Sequence, residues 1–314
     1  MSTKLKVVRS IADLRHAVAQ WRNNGLKVAL VPTMGALHAG HFALVRRAAE
    51  MADRTLVSIF VNPSQFAPNE DLARYPRDEA GDLAKLAGET CHLVWAPTTA
   101  DMYPEGFATR VVPAGAAHGL EADFRPHFFG AVATVCAKLF GAAAPDIAVF
   151  GEKDYQQLCV IRQMVADLDM PIEVAGVPTL READGLALSS RNVYLSAEER
   201  AIAPALNRVL TALAAEAHEI VRGGGSARRG KAPRAVPLLR DPTLPPQMRQ
   251  LPDIEAICAA AAQELEAAGF TKVDYVAVHH ADTLKVVTEK SPAPLRVLAA
   301  AWLGKTRLID NVAA

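Results

Sequence analysis

The chain has 314 residues, 51% of them hydrophobic and 22% charged, enough to bury a large core in one large or two moderate domains. Its 34 basic and 34 acidic side chains cancel, so no global field points toward nucleic acid or an anionic membrane, and small molecules are the expected partners. Cys91, Cys136, Cys159 and Cys258 are scattered without a C-x-x-C pair, and Met1 to Ser10 offers neither a signal-peptide core nor a spanning helix, so reduced packing thiols in a cytoplasmic, soluble protein are expected.

The first strong apolar run, Lys27 to Val31, predicts a strand, and a helical pattern follows from Phe42 to Ala52. Between them lies Val31-Pro32-Thr33-Met34-Gly35-Ala36-Leu37-His38-Ala39-Gly40-His41. His38 and His41 are three apart, so in the opening turn of a helix they share one face, beside unpaired N–H groups and the positive dipole end. Two imidazoles there can hydrogen-bond a phosphate and stabilise charge as a phosphoanhydride breaks. Gly35 and Gly40 allow close approach of a nucleotide to the backbone. Taken alone, the segment fits a plain helix start with two partly exposed histidines equally well.

A second strand, Thr55 to Val61, runs into Asn62-Pro63-Ser64-Gln65-Phe66, where Asn62 and Gln65 can both donate and accept and so suit a hydroxylated acid. By themselves they read as a turn and a surface residue. Pro68-Asn69-Glu70-Asp71 and Arg74-Tyr75-Pro76-Arg77 form a charged loop before a helix at Glu79 to Ala87 and a strand at His92 to Trp95. A helix at Ala131 to Phe140 and a strand at Asp146 to Phe150 lead to Gly151-Glu152-Lys153-Asp154-Tyr155-Gln156-Gln157. Here Gly151 permits a tight turn, Lys153 brings a cation for phosphate, and Asp154 either accepts from a ribose hydroxyl or caps the next helix. Asp154 and Gln157 share a helical face. A helix at Tyr155 to Leu168 and a strand at Ile172 to Val177 complete the rhythm of a Rossmann-like, doubly wound parallel sheet over residues 1–178. In such sheets ligands bind beyond the carboxyl ends of the strands.

From residue 179 to 314 the pattern changes to that of a smaller α+β domain. It opens with Asp184-Gly185-Leu186-Ala187-Leu188-Ser189-Ser190-Arg191-Asn192, where two hydroxyls and an arginine can clamp an oxyanion or simply make a turn. Long helices are predicted at Ala197 to Val221 and Asp253 to Ala268, then strands at Val273 to Val278 and Leu295 to Trp302. The basic, Gly- and Pro-rich stretch from Gly223 to Pro252 cannot build a core and is expected to be a flexible insertion.

In this order the segments closely resemble the pantothenate synthetase family, within the nucleotidyltransferase superfamily that carries H-x-G-H at a helix start. The resemblance spans nearly the whole chain, through F-V-N-P-x-Q-F, F-G-E-K-D-x-Q-Q and D-G-L-A-L-S-S-R-N to Leu303–Asn311. It implies a Mg²⁺-dependent ligase, a homodimer, in which pantoate attacks ATP to give pantoyl adenylate and pyrophosphate, and β-alanine then displaces AMP. By position it implies that Met34, Gly35, His38, Gly40 and His41 line the ATP site, with His41 the proton donor. It likewise implies Lys153, Ser189, Ser190 and Arg191 at the phosphates, Gly151 and Asp154 near the ribose, Leu180 near adenine, and Leu188 in the ATP site. Gln65, Gln157 and Asn62 would hold pantoate. His38, His41 and Lys153 are the catalytic candidates; metal ligands stay open, with Asp82 one contributor. Arg125-Pro126-His127-Phe128-Phe129-Gly130 departs from the family's commoner R-P-G-H-F-R-G by lacking the second arginine. Two other readings compete: another adenylyl- or cytidylyltransferase, against which the glutamine pair speaks, and a nucleotide-binding module without turnover, which would not need a second-substrate pocket.

Overall fold

The computed structural model describes residues 5–68, 70–222 and 250–314. Asn69 and most of the basic stretch at 223–252 therefore lie outside the described residues. The chain divides into two compact units, one of residues 1–118, 125–180 and 188–190, the other of residues 119–124, 181–187 and 191–314.

The first unit carries six parallel strands: β1 (Lys6–Val8), β2 (Val28–Thr33), β3 (Arg54–Ile59), β4 (Leu93–Trp95), β5 (Ile147–Gly151) and β6 (Glu173–Val177). Their order is β1-β4-β3-β2-β5-β6. The alternation of side chains along a strand makes this sheet two-faced. Val28 and Leu30 of β2, Leu56 of β3, Trp95 of β4 and Phe150 of β5 pack with helices Ile11–Asn23, Phe128–Ala143 and Tyr155–Asp167. Ala29 and Val31, Val57, Val94 and Val149 point the other way, onto helices Ala39–Met51 and Glu79–Leu86. Burial on both faces explains why these strands read as continuous apolar runs rather than as alternating ones.

The five strands expected in this half are present, and the doubly wound class is borne out. Among the elements not foreseen from the sequence, β1 is only three residues long, the helix Ile11–Asn23 begins at a capping serine, Ser10, whose side chain accepts from Asp13 N, and a single helical turn stands at Thr99–Met102.

The chain reverses direction across the sheet between β2 and β5. These two strands pair only at Ala29↔Ile147 and Leu30↔Ala148, whereas β2 and β3 pair along all six positions from Val28↔Arg54 to Thr33↔Ile59. Pro32 has no N–H with which to extend either ladder. Beyond Leu30 the strands part, and the crevice of a doubly wound sheet opens there.

The second unit is an antiparallel sheet, β7 (Lys272–His280), β8 (Leu295–Leu303) and β9 (Thr306–Ala313), in that order. Helices Ala205–Arg222 and Pro252–Ala267 cover it with Leu206, Leu210, Leu213, Ile254, Cys258 and Leu265 against Val276, Val278, Val297 and Ala299. The long helix expected from Ala197 is two helices, Ala197–Ile202 and Ala205–Arg222. Pro204 stands at the break, where it removes an amide donor and crowds the preceding turn. Among the described residues no helix is long and apolar enough to cross a membrane.

Leu30 is fully buried in the central strand. Leu30→Ala is therefore expected to lower stability by about 2–5 kcal/mol, read as a shift in the urea midpoint monitored by circular dichroism.

Candidate functional site

Three adjacent strands, β3, β2 and β5, end at the same edge of the sheet, and each is followed by one of the motifs singled out above. After β2 the backbone must turn sharply: Gly35 has φ 79° and Ala36 has φ 52°. A side chain at Gly35 would lie 3.1 Å from Asp82 Oδ2, so the position suits glycine on both counts. The non-glycine left-handed residue beside it is held by Asp82. Its two carboxylate oxygens accept from Ala36 N and Leu37 N, both at 2.8 Å. Lys85 Nζ lies 4.0 Å from Asp82 Oδ1 and donates to Leu37 O at 3.1 Å. Asp82 is 1% exposed, so this carboxylate is an internal anchor for the loop.

The anchored loop delivers the histidine pair. His38 is the N-cap of helix Ala39–Met51, its Nδ1 accepting from Gly40 N at 3.1 Å, while His41 Nδ1 accepts from His38 N at 3.3 Å. This is a capping box made of two imidazoles in place of the usual hydroxyl and carboxyl. The ring centroids lie 4.2 Å apart. With each Nδ1 serving as an acceptor, the neutral rings carry their proton on Nε2. Gly40 is constrained by the same cap, since an added Cβ would stand 2.9 Å from His38 Cε1.

Burial depresses the His41 pKa to about 3, helped by the neighbouring His38 and by Lys153; burial and then Lys153 also lower His38. Lys153 thus acts electrostatically on both rings from the turn Glu152–Asp154 that follows β5. Asp154, exposed, begins helix Tyr155–Asp167, in which Gln157 is partly buried. Its neighbour Gln156 is buried and donates to Ala116 O at 2.9 Å, so the two adjacent glutamines have different surroundings.

After β3, Asn62 caps the turn Pro63–Gln65. Asn62 and Gln65 are both buried, and Asn62 Nδ2 donates to Gln65 Oε1 at 3.0 Å. The main chain at Gln65 is held by Arg125, whose guanidinium donates to Gln65 O at 2.9 Å, pairs with both oxygens of Glu70 at 2.7 Å, and lies 3.9 Å over the Phe128 ring. Arg125 and Glu70, left open by the sequence, are thus one ion pair bracing this loop.

Leu180, 42% exposed, accepts from Leu188 N at 2.9 Å through its carbonyl. Ser189 and Ser190 belong to the first unit and Arg191 to the second. In that second unit Arg181 forms a two-pronged pair with buried Asp310 at 2.7 and 2.9 Å, which ties the start of the D-G-L-A-L segment to β9. No local pattern singled out Tyr103, whose hydroxyl donates to Asn62 Oδ1 at 2.9 Å, or the anchoring task of Asp82. Only acidic position within a helix's first turn could have drawn attention to the latter.

The fold is that of a doubly wound α/β protein, with a histidine pair and a lysine after the two strands that part at the switch point of its sheet. The family model described as Pantoate-beta-alanine ligase matches residues 6–313. Proteins named pantothenate synthetase from Paramagnetospirillum magneticum and Mesorhizobium japonicum are both 51% identical, over 99% and 98% of this chain and 99% and 97% of theirs. The solved pantothenate synthetase of Thermus thermophilus matches with a TM-score of 0.81 and 43% identity, over 98% of this chain and 99% of its own. A pantoate-beta-alanine ligase from Francisella tularensis, solved in complex with "Beta-gamma ATP" and beta-alanine, matches with a TM-score of 0.72 and 29% identity, over 98% and 97%. The chain belongs to the pantoate–β-alanine ligase family and is a ligase.

Two outcomes follow from the anchored histidine pair. Asp82→Ala leaves the amides of Ala36 and Leu37 without their acceptor. It is expected to cost roughly 3 kcal/mol and to accelerate hydrogen exchange at those two amides, read by NMR or mass spectrometry. For His41, whose folded pKa is depressed, the stability contribution is complete above the unfolded histidine value of 6.5 and is lost as pH falls from there toward about 3. Histidine-ring NMR should find His41 still neutral at pH 5; a ring that titrates near pH 6.5 would contradict this geometry.

Proposed function

We propose that the chain condenses pantoate with β-alanine in two steps, through pantoyl adenylate, with ATP as the activating substrate. The observation that supports the reading is that β3, β2 and β5 are neighbours in the sheet and that Asn62 and Gln65, His38 and His41, and Lys153 and Gln157 follow them in turn, with Lys153 close enough to act on both histidines. A carboxylate is a poor acylating agent until one of its oxygens becomes part of a good leaving group. In the first step a carboxylate oxygen of pantoate bonds to the α-phosphorus of ATP, and the bond to the β-phosphate bridging oxygen breaks, releasing pyrophosphate. In the second, the β-alanine amine attacks the acyl carbon, the acyl C–O bond breaks, AMP departs, and the nitrogen gives up one proton and keeps the other as the amide N–H.

Met34, Gly35, Gly40 and the two histidines would meet the triphosphate, with Gly151 and Asp154 at the ribose, Leu180 and Leu188 at adenine, and Ser189, Ser190 and Arg191 at the phosphates. The low pKa of His41 supports a particular chemical role: a neutral ring offering Nε2–H as a hydrogen-bond donor to phosphate oxygens as their charge grows, rather than an imidazolium delivering a proton. Lys153 supplies the positive charge. Gln65 and Gln157 would hold pantoate, and the mixed anhydride would survive because water is excluded from it.

Magnesium would come to this site as a companion of the nucleotide. Asp82, the carboxylate nearest the histidine loop, already accepts two backbone amides, and among the described residues no group of three or more His, Cys, Asp or Glu side chains gathers as a cage. Such a cation, held chiefly by phosphate oxygens, would neutralise charge on the leaving pyrophosphate.

The test is release of AMP and pyrophosphate from ATP and Mg²⁺ with pantoate alone, β-alanine alone, and both. Sustained AMP is expected only with both, and a stoichiometric burst of pyrophosphate with pantoate alone. Absence of AMP in all three mixtures would overturn the reading.

A further inference from the structure

The two ends of a glutamine amide are chemically opposite, Oε1 accepting and Nε2 donating, so a substrate meeting Gln65 is recognised by whichever end faces it. Its neighbours decide which end that is. Gln65 Oε1 is engaged by Asn62 Nδ2 at 3.0 Å. Asn62 in turn cannot invert its amide, because Oδ1 is surrounded by donors: Ser64 N at 3.2 Å, Ser64 Oγ at 2.8 Å and Tyr103 Oη at 2.9 Å. Inversion would set the NH₂ group against the Ser64 N–H, two donors with no acceptor between them, and would oblige both hydroxyls to turn round and accept. Asn62 is 1% exposed, and its amide is occupied at both ends.

The far end of this chain is also fixed. The Tyr103 ring packs 6.2 Å from the Phe60 ring and 5.2 Å, edge-on, from Phe107. Its hydroxyl reaches both Asn62 Oδ1 and, at 3.3 Å, Ser64 Oγ. Burial raises the phenol pKa above its ordinary value, so the group remains a protonated donor at neutral pH.

We propose that Tyr103 is a positioning residue which, through Asn62, fixes the polarity of the Gln65 amide so that its NH₂ group, and not its carbonyl, faces an oxygen of pantoate. The inference rests on the proposed function, in which Gln65 meets pantoate. It separates two roles that the sequence had merged: Gln65 touches substrate, whereas Asn62 is a relay whose side chain is spent inside the protein. It also states what Gln65 selects for, an acceptor oxygen such as that of a carboxylate, carried by a ligand without a donor at that point.

Steady-state kinetics with pantoate and ATP varied separately test the proposal. Tyr103→Phe removes one neutral hydrogen bond and keeps the ring. It is expected to raise the KM for pantoate roughly 3- to 10-fold while the KM for ATP stays within about 2-fold. Gln65→Glu keeps the shape but replaces the NH₂ group by a second anionic acceptor, and kcat/KM for pantoate should fall on the order of 100-fold or more. If Tyr103→Phe fails to fold, Asn62→Asp serves instead: the new carboxylate still accepts from Tyr103 and Ser64 but cannot donate to Gln65, and the same pantoate-selective loss is expected. An unchanged KM for pantoate in Tyr103→Phe, an equal rise in the KM for ATP, or a Gln65→Glu enzyme that uses pantoate normally would each overturn the relay. An inactive wild-type chain would instead remove the proposed function, so the two failures are distinguishable.

Discussion

Everything at this site depends on two parallel strands that stop pairing. β2 and β5 share only the positions Ala29↔Ile147 and Leu30↔Ala148, and past them each strand continues into a loop of its own. Three consequences come from that one parting. The backbone after β2 is free to turn through two left-handed residues, Gly35 and Ala36. The helix that follows begins just beyond this turn, its N-terminus capped by His38. Lys153, at the end of β5, comes close enough to lower the pKa of both histidines.

Such a turn is strained, and the strain is offset from outside it. Asp82 lies on a different helix, forty-odd residues further along, yet its carboxylate accepts the two amides that the turn exposes. The histidines then complete the arrangement by capping their own helix with Nδ1, which leaves Nε2–H as the remaining donor of each neutral ring. In the proposed reaction a neutral donor pair held in place by backbone amides and flanked by a lysine would have little reorganisation to undergo as charge develops nearby, the property by which preorganised polar sites stabilise transition states. The chain from Tyr103 through Asn62 to Gln65 does for the loop after β3 what Asp82 does for the histidine loop: it holds a flexible polar group in one of its chemically distinct orientations.

Much of the first unit was legible in the sequence for a simple reason. A strand buried on both faces, such as Ala29–Val31 or Ile147–Phe150, must be apolar throughout, and that leaves an unmistakable run. Among the elements that escaped, β1 is only three residues long and the break at Pro204 lay within a strong helical pattern, whereas the helix Ile11–Asn23, with its Ser10 cap, and the strand β9 carried local signals that went unread. Arg125 was visible as a departure from a family pattern, but nothing local indicated that it would pair with Glu70 and hold the Gln65 carbonyl, partners 55 and 60 residues away.

By itself the sequence determined the kinds of chemistry available: two imidazoles at a helix start, a lysine after one strand, amides after another, and an order of motifs that marked the family. These are local facts, set by residue type and by spacing along one element. Only the tertiary structure decided what state those groups are in. Whether a histidine is charged depends on burial and on a lysine from another strand; whether a glutamine donates or accepts depends on an asparagine and a tyrosine 38 residues beyond it. Protonation and hydrogen-bond polarity are properties of surroundings, and in a parallel sheet with crossover connections the surroundings of each strand end are built from segments far apart in the chain.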